Sequence, residues 1–437
     1  MNAGLTIRIL VFLFTGLLCS FNPVKQAESE DEFFFKEPEP DQWVNLYNIP
    51  DAWHISKTEI RCTGKYSSSL RSRKIYSDFV LEFEFIPAES GTQPILIIHS
   101  DALPATGKPF PDGVIIGLSP ESQFRTGELF DYKIPDADLY PPDESILKPG
   151  RITKFRVNSA NGKITLTVNR KSVSRVTSGT TGFITLFSPA AQGTFRNMRI
   201  RSVSEPKRTD VQELSEFISL YNGSLLSDWD VRQGHVNHWK GLDWLIDYDG
   251  KSEEKDKCLW SKKSYRDFVL IADLRLTRKP EPGKSPVILP SGETAKNKDG
   301  SDQEVEIPYA GDTGIYLRGN SKSQVNIGNR YIGSGEIYGY RVDKNLPAHI
   351  RAAVTPTVKA DRPPGDWNRF IITMKGDRVT VVLNGKTVIN QAQLPGIPEK
   401  GPIALQDDHA DNNTFRFANL FIRELEPGID VRRGERR

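Results

Sequence analysis

At 437 residues the chain is too long for one ordinary hydrophobic core, so two domains are expected. Its 58 Lys and Arg against 56 Asp and Glu leave a formal charge of +2. With the two signs interspersed there is no basic stripe, so nucleic-acid binding is not expected.

The chain opens with a short segment of its own. Residues 1–20 carry one early cation, Arg8, and then an apolar run from Ile9 to Leu18. That run is too short to span a bilayer comfortably and fits a secretory signal within residues 1–27. It predicts export to the periplasm or the extracellular space. Leu17-Leu18-Cys19 matches a bacterial lipobox only loosely, because Leu18 stands where a small residue is wanted. No other stretch reads as a transmembrane span. After Cys19 only Cys62 and Cys258 remain, which export would allow to pair, yet two isolated small core residues explain them as well.

Residues 28–42 are acidic and contain prolines, as a loose leader would. From Trp43 onward the chain is an all-β pattern of short runs broken by turn residues, and much of it is written twice. Leu46-Tyr47-Asn48 returns as Leu220-Tyr221-Asn222, and residues 70–81 match residues 259–270 at eight of twelve positions. Residues 126–132, 163–173 and 194–203 return in the same order as residues 334–340, 378–388 and 414–425. Such order identifies an internal duplication. Asn161-Gly162 and Asn384-Gly385 are hairpin signals in the two copies. Short strands over roughly 170–210 residues per copy predict two tandem jelly-roll β-sandwiches, at 43–203 and 217–426. The polar segment 204–216 is the boundary between them.

The second copy differs from the first in two ways. It inserts a long loop rich in Pro, Gly, Lys and Asp between Thr277 and Asp312. Its stretch 312–340 also has a distinctive polar side, read as two strands, a glycine-rich turn and a third strand. Alternation places Ile315, Leu317, Val325 and Ile327 on an apolar face, with Tyr316, Arg318, Gln324 and Asn326 opposite. A sheet that is apolar on one side only covers a core with that side and offers the other for binding. In the first copy Gly113, Ile115 and Phe187 fall near Gln324, Asn326 and Gln406. If one copy carries chemistry, it is therefore the second.

The second copy also resembles a known family. Residues 314–319 (GIYLRG), 324–327 (QVNI), 363–368 (PPGDWN), 376–389, 401–406 (GPIALQ) and 417–425 are similar to the 3-keto-disaccharide hydrolase domain. That family comprises 3-keto-glucoside lyases and 2-hydroxy-glucal hydratases on a concanavalin A or laminin-G-like sandwich. The resemblance runs from Phe217 to Leu425, and the first copy resembles the family only faintly. Many members carry Glu and Gln where this chain has Gln324 and Asn326. Many also carry a Gln-Asp-His-Gly run where it has Gln406-Asp407-Asp408-His409-Ala410, one residue longer. The secreted, duplicated organisation resembles bacterial proteins.

The resemblance implies a carbohydrate partner already oxidised at C3, whose ketone acidifies the C2 proton. A base removes that proton, the C1 substituent leaves, and water adds to the 2-hydroxy-glucal. Glu336 and His409 are the acid/base candidates, with Arg318 as oxyanion stabiliser. Gln324, Asn326 and Gln406 would grip hydroxyls, and Tyr316, Tyr338 and Trp367 would offer flat faces to a ring. Simpler roles compete for several of these. Glu336 has a counterpart in Glu128, Arg318 could be a solvated strand residue, and Trp367 after Pro-Pro-Gly-Asp could be a core anchor. Asp407, Asp408 and His409 could hold a divalent ion, though Asp and Asn also suit an ordinary turn. Glu304 and Glu306 suggest a glycosidase pair but sit in the insertion, where solvated residues are expected. A non-catalytic carbohydrate-binding or adhesion module on the same fold remains the alternative.

Overall fold

The computed structural model describes residues 32–33, 42–88, 92–119, 129–131, 151–177, 181–204, 216–223, 225–407 and 413–426. Residues 1–27, expected as a secretory signal, the 205–215 stretch, Glu128, Asp408 and His409 lie outside the described residues. Among the described residues no helix is long and apolar enough to cross a membrane.

Each copy is an antiparallel sandwich. The N-terminal sandwich sets an eight-stranded back sheet against a six-stranded front sheet, and the C-terminal one sets eight strands against four. Side-chain alternation builds both cores. In strand Phe79–Pro87, Phe79, Leu81, Phe83 and Phe85 point inward, and in strand Phe268–Leu276, Phe268, Leu270, Ala272 and Leu274 do so. The two cores are separate clusters of buried residues, as the duplication requires.

The inserted segment is not a bare loop. Strands Glu281–Pro286 and Glu304–Tyr309 pair into a two-stranded hairpin, with Glu304 and Glu306 exposed as expected. Residues 334–340 also depart from the strand reading, because Tyr338–Val342 forms a short helix instead. The turn of that helix presses on strand Asn320–Gly328, where a Cβ on Gly339 would lie 2.5 Å from the Lys322 carbonyl oxygen.

The sandwiches pack head to tail. The front face of the first, through Val44, Ala102, Leu103 and Phe183, shares one apolar cluster with Ile271, Phe421, Val269 and Ile371 on the back of the second. At the centre of this contact Asp273 is fully buried. It accepts from Arg369 Nε at 2.7 Å, Asn419 Nδ2 at 2.7 Å and the Gly107 backbone N–H at 2.8 Å. Arg369 and Asn419 in turn donate to the carbonyls of Pro104, Ala105 and Lys108. The buried Asp273 charge is thus matched by one guanidinium, one amide and one backbone donor, as burial demands.

Candidate functional site

The front face that takes no part in the junction is that of the C-terminal sandwich. Its four strands run in the order Leu259–Tyr265, Gly401–Asp407, Asp312–Leu317, Asn320–Gly328. Register places Gly314 opposite both Asn326 and Gln406, and Tyr316 opposite both Gln324 and Ala404. All of these residues lie on one face, because Ile315, Val325, Ile327 and Leu405 belong to the core side.

Three amides, a carboxylate and a guanidinium form a continuous hydrogen-bonded chain there. Gln324 Nε2 donates to Gln406 Oε1 and, at 3.4 Å, to Asn326 Oδ1. Asn326 Nδ2 donates to Glu336 Oε1 at 2.9 Å, and Arg341 Nε donates to Glu336 Oε2. Gly314 permits this closeness. A Cβ on it would lie 2.7 Å from Gln324 Cγ and 2.8 Å from Gln406 Oε1. The chain leaves Gln406 Nε2 as a donor and Gln324 Oε1 as an acceptor, a pair suited to one sugar hydroxyl.

Glu336 itself is 1% exposed and Arg341 7%. A carboxylate so buried requires its cationic and amide partners. Arg341 stands on the Tyr338–Val342 helix, with its guanidinium carbon 5.6 Å from the centre of the exposed Tyr338 ring. Arg341 Nη1 also reaches the Gly292 carbonyl of the insertion at 3.4 Å. The insertion thus touches the site from behind the carboxylate.

Three expected site residues are placed elsewhere. Arg318 leaves the strand alternation because the chain bulges after Tyr316 and Arg318 takes a φ of 53°. Its side chain is buried, donating to the Arg266 and Gly376 carbonyls at 2.6 Å and to Asp267 at 2.8 Å. It locks loops together and does not reach the amides. Trp367 lies at the junction between the sandwiches, where a Cβ on Gly107 would overlap its ring and Trp244 packs 5.7 Å away. That position makes it an anchor, and no platform for sugar. Asp407 points to the core side, opposite Thr313, and accepts from the buried Tyr248 hydroxyl at 2.5 Å. Burial first, then this carboxylate, hold the Tyr248 phenol well above its ordinary range, so it stays a donor. Among the described residues no group of three His, Cys, Asp or Glu side chains is arranged to hold a metal ion. The other two residues of that expected set, Asp408 and His409, lie outside the described residues.

Two further residues were not singled out in the sequence. Arg341 carries no motif signal, since only the helix that replaces the expected strand turns it back onto Glu336. Trp260 sits in the same row as Tyr316 and Gln324, opposite Ala404. Its signal was the difference between the duplicated stretches, in which Arg71 holds the equivalent place of the first copy. Cys258, beside it in the chain, is a buried free thiol pushed up to about 12 by burial, and Cys62 is likewise free.

Among the described residues the first copy has no such cluster. By registered pairs, Ile95, Ile97, Ile115, Gly117 and Phe187 stand where Gly314, Tyr316, Gln324, Asn326 and Gln406 stand in the second. Gln324 thus corresponds to Ile115, and Asn326 to Gly117, a shift of two from the sequence alignment. Ile95, Ile97, Ile115 and Phe187 form a closed apolar cluster with Phe110 and Phe130.

An antiparallel sandwich present twice, with a polar amide–carboxylate cluster on one front face, defines a concanavalin A-like jelly-roll class of domain. The model of the 3-keto-alpha-glucoside-1,2-lyase-like domain matches residues 35–201 and 216–423, so the chain belongs to that family in both halves, the fainter first copy included. Among solved structures it is similar to a Parabacteroides distasonis ATCC 8503 protein described provisionally as a glycosyl hydrolase. Identity is 21%, covering 48% of this chain and 84% of that one, with a TM-score of 0.33. It is similar also to the carbohydrate-binding module CBM66 of Bacillus subtilis, at 14% identity over 37% of this chain and 96% of that one, TM-score 0.29. A Bacillus licheniformis β-glucanase matches at 12% identity over 40% and 99%, TM-score 0.26. No curated protein matches the chain.

Proposed function

We propose that the C-terminal sandwich cleaves 3-keto-glycosides outside the cytoplasm, and that the N-terminal sandwich is its scaffold. The observation that carries this reading is the joining of Gln324, Asn326, Gln406 and Glu336 in one buried hydrogen-bonded cluster on the front side of the second sandwich, the side turned away from the junction. In this reading the Glu336 carboxylate takes the proton from C2 of the sugar. The C2–H electron pair forms the C2=C3 enolate, whose O3 charge faces the Arg341 guanidinium. Collapse of the enolate expels the C1 oxygen, and His409, three residues after Gln406, supplies the proton to the leaving alcohol. Water then adds its oxygen at C1 and a proton at C2, which returns the 3-keto sugar. The amides hold hydroxyls of the ring so that C2–H meets the base.

The test is an incubation of the full-length protein with a 3-keto-glucoside, following release of the alcohol with and without a chelator. Release that falls at least about a hundredfold in Glu336→Gln, in line with the usual contribution of a general base, supports the reading. Release unchanged in that variant sinks it. A second reading has its own observation, the near-complete burial of Glu336 in its pair with Arg341. On that reading the domain is lectin-like, and the protein binds the same sugar saturably with no release.

A further inference from the structure

Next to the amide row lies a row of different chemistry. Across the four strands it reads Trp260, Ala404, Tyr316, Gln324. Trp260 and Tyr316 are two strands apart, which places their backbones about 10 Å from each other. Their ring centroids are nevertheless only 5.9 Å apart, with the planes tilted by 37°. The two rings therefore converge over the Ala404 methyl, which is fully buried beneath them. A larger residue at position 404 would force them apart. Trp260 is held in this pose by its indole N–H, which donates to Asp256 Oδ2 at 2.8 Å. Both rings are partly buried and keep some exposed surface, which forms an apolar shelf beside the hydrogen-bonding cluster.

We propose that this ring pair is a second subsite, stacking the ring of the glycoside's leaving group while the amide cluster holds the oxidised ring. The proposal rests on the reading of the site given above. Its ligand is a pyranose face, which presents C–H groups that suit an aromatic surface, with hydroxyls left at the rim for solvent. The first copy has Arg71, Thr185 and Ile97 in the same row, with Arg71 turned onto the Ala102 carbonyl, so the shelf is particular to the second copy.

Calorimetric titration of the full-length protein with cellobiose, maltose and glucose tests the shelf without using turnover. We expect at least one disaccharide to bind about tenfold more tightly than glucose or better. That gain is lost in Trp260→Ala and in Tyr316→Leu and is retained within threefold in Trp260→Phe. Disaccharides that bind no better than glucose, or a Trp260→Ala protein that binds them as the wild type does, overturn the proposal. Thermal melts of both loss variants guard against a folding artefact, and the Phe variant keeps the test open if the Ala variant fails to fold. Because the sugars are unoxidised, the outcome does not depend on 3-keto chemistry. A working shelf with no alcohol release sinks only the reaction, and release with an unchanged KM in Trp260→Ala sinks only the shelf.

Discussion

Arg318 shows what alternation along a strand can and cannot predict. The period-2 pattern places it beside Tyr316 and Gln324, but a left-handed residue breaks the period, and no residue type announced that break. The duplication does contain the clue. His99 holds the equivalent position in the first copy with a φ of 48°, and it too is buried. In both copies a glycine makes room, since a Cβ on Gly182 would lie 2.3 Å from the His99 carbonyl carbon and one on Gly401 2.3 Å from that of Arg318. The position is thus one of backbone geometry with a buried polar filler, and chemistry is not its task. Arg318→Ala removes the cationic partner of Asp267 and three hydrogen bonds, to the Arg266, Gly376 and Pro398 carbonyls, so it should cost about 3–5 kcal/mol. Urea unfolding measures that loss, and any alcohol release per folded molecule should remain as in the wild type. A selective loss of release at full stability would return Arg318 to the catalytic list.

At the scale of strands, the apolar halves of the front sheet were legible because one residue in two must face the core. The amide cluster was legible for the converse reason: Gln324, Asn326 and Gln406 stand on the face the core does not need. What the sequence hid was the helix at Tyr338–Val342, which is too short to show a 3.6-residue period, and with it Arg341. Gly314 joins the strands chemically. In Gly314→Ala the new methyl would press on Gln324 at Cγ as well as Nε2 and on Gln406 Oε1, so the Gln324 side chain must move from its base and stability should fall by about 1–3 kcal/mol. The amides must also part, and disaccharide binding should fall about tenfold. Binding at wild-type strength would show that the cluster's spacing does not matter. The back sheets carry another strand-level contrast. Glu82 is partly desolvated, which alone would raise its pKa, but hydrogen bonds and charge from Arg199 and Arg156 outweigh this and hold it below the ordinary carboxylate value. A carboxyl depressed on folding stabilises above its unfolded pKa, near 4.3, and loses that contribution as pH falls through the folded value. Glu82→Gln should therefore lower stability at neutral pH by what the carboxylate contributes there and flatten the acid limb of the stability–pH curve below about pH 4.5, with the difference from wild type closing at low pH. An identical acid limb in the variant would remove Glu82 from the account.

The whole molecule is a duplication in which one contact has been used once and then blocked. Registered pairs set Ile271, Ile371 and Phe421 of the second back sheet at the places of Glu82, Arg156 and Arg199 in the first. The polar node is preserved: Asn419 donates to Asp273 at 2.7 Å, and Asn197 to Glu84 at 2.9 Å. An apolar trio binds the neighbouring front face, whereas an ion-paired trio leaves the outermost back face to water and ends the stack. A head-to-tail contact that stayed adhesive at both ends would propagate between molecules. Among the described residues the first copy's front carries no amide cluster, because the equivalent positions are filled by isoleucine and phenylalanine packed with Phe110 and Phe130. Ile271→Glu places an unpaired carboxylate against Phe421 and the buried face of the first sandwich, at a cost of several kcal/mol. Each sandwich has its own core, so both should stay folded while the junction opens. We expect calorimetry to resolve two transitions in place of a single coupled one, and proteases to cut more readily between residues 204 and 216. The double variant Ile271→Glu/Phe421→Arg copies the Glu82–Arg199 pair and should keep the second sandwich soluble after that cut. One unsplit transition with unchanged proteolysis in Ile271→Glu would mean that the Asp273 node, without the apolar trio, is sufficient to hold the two copies together.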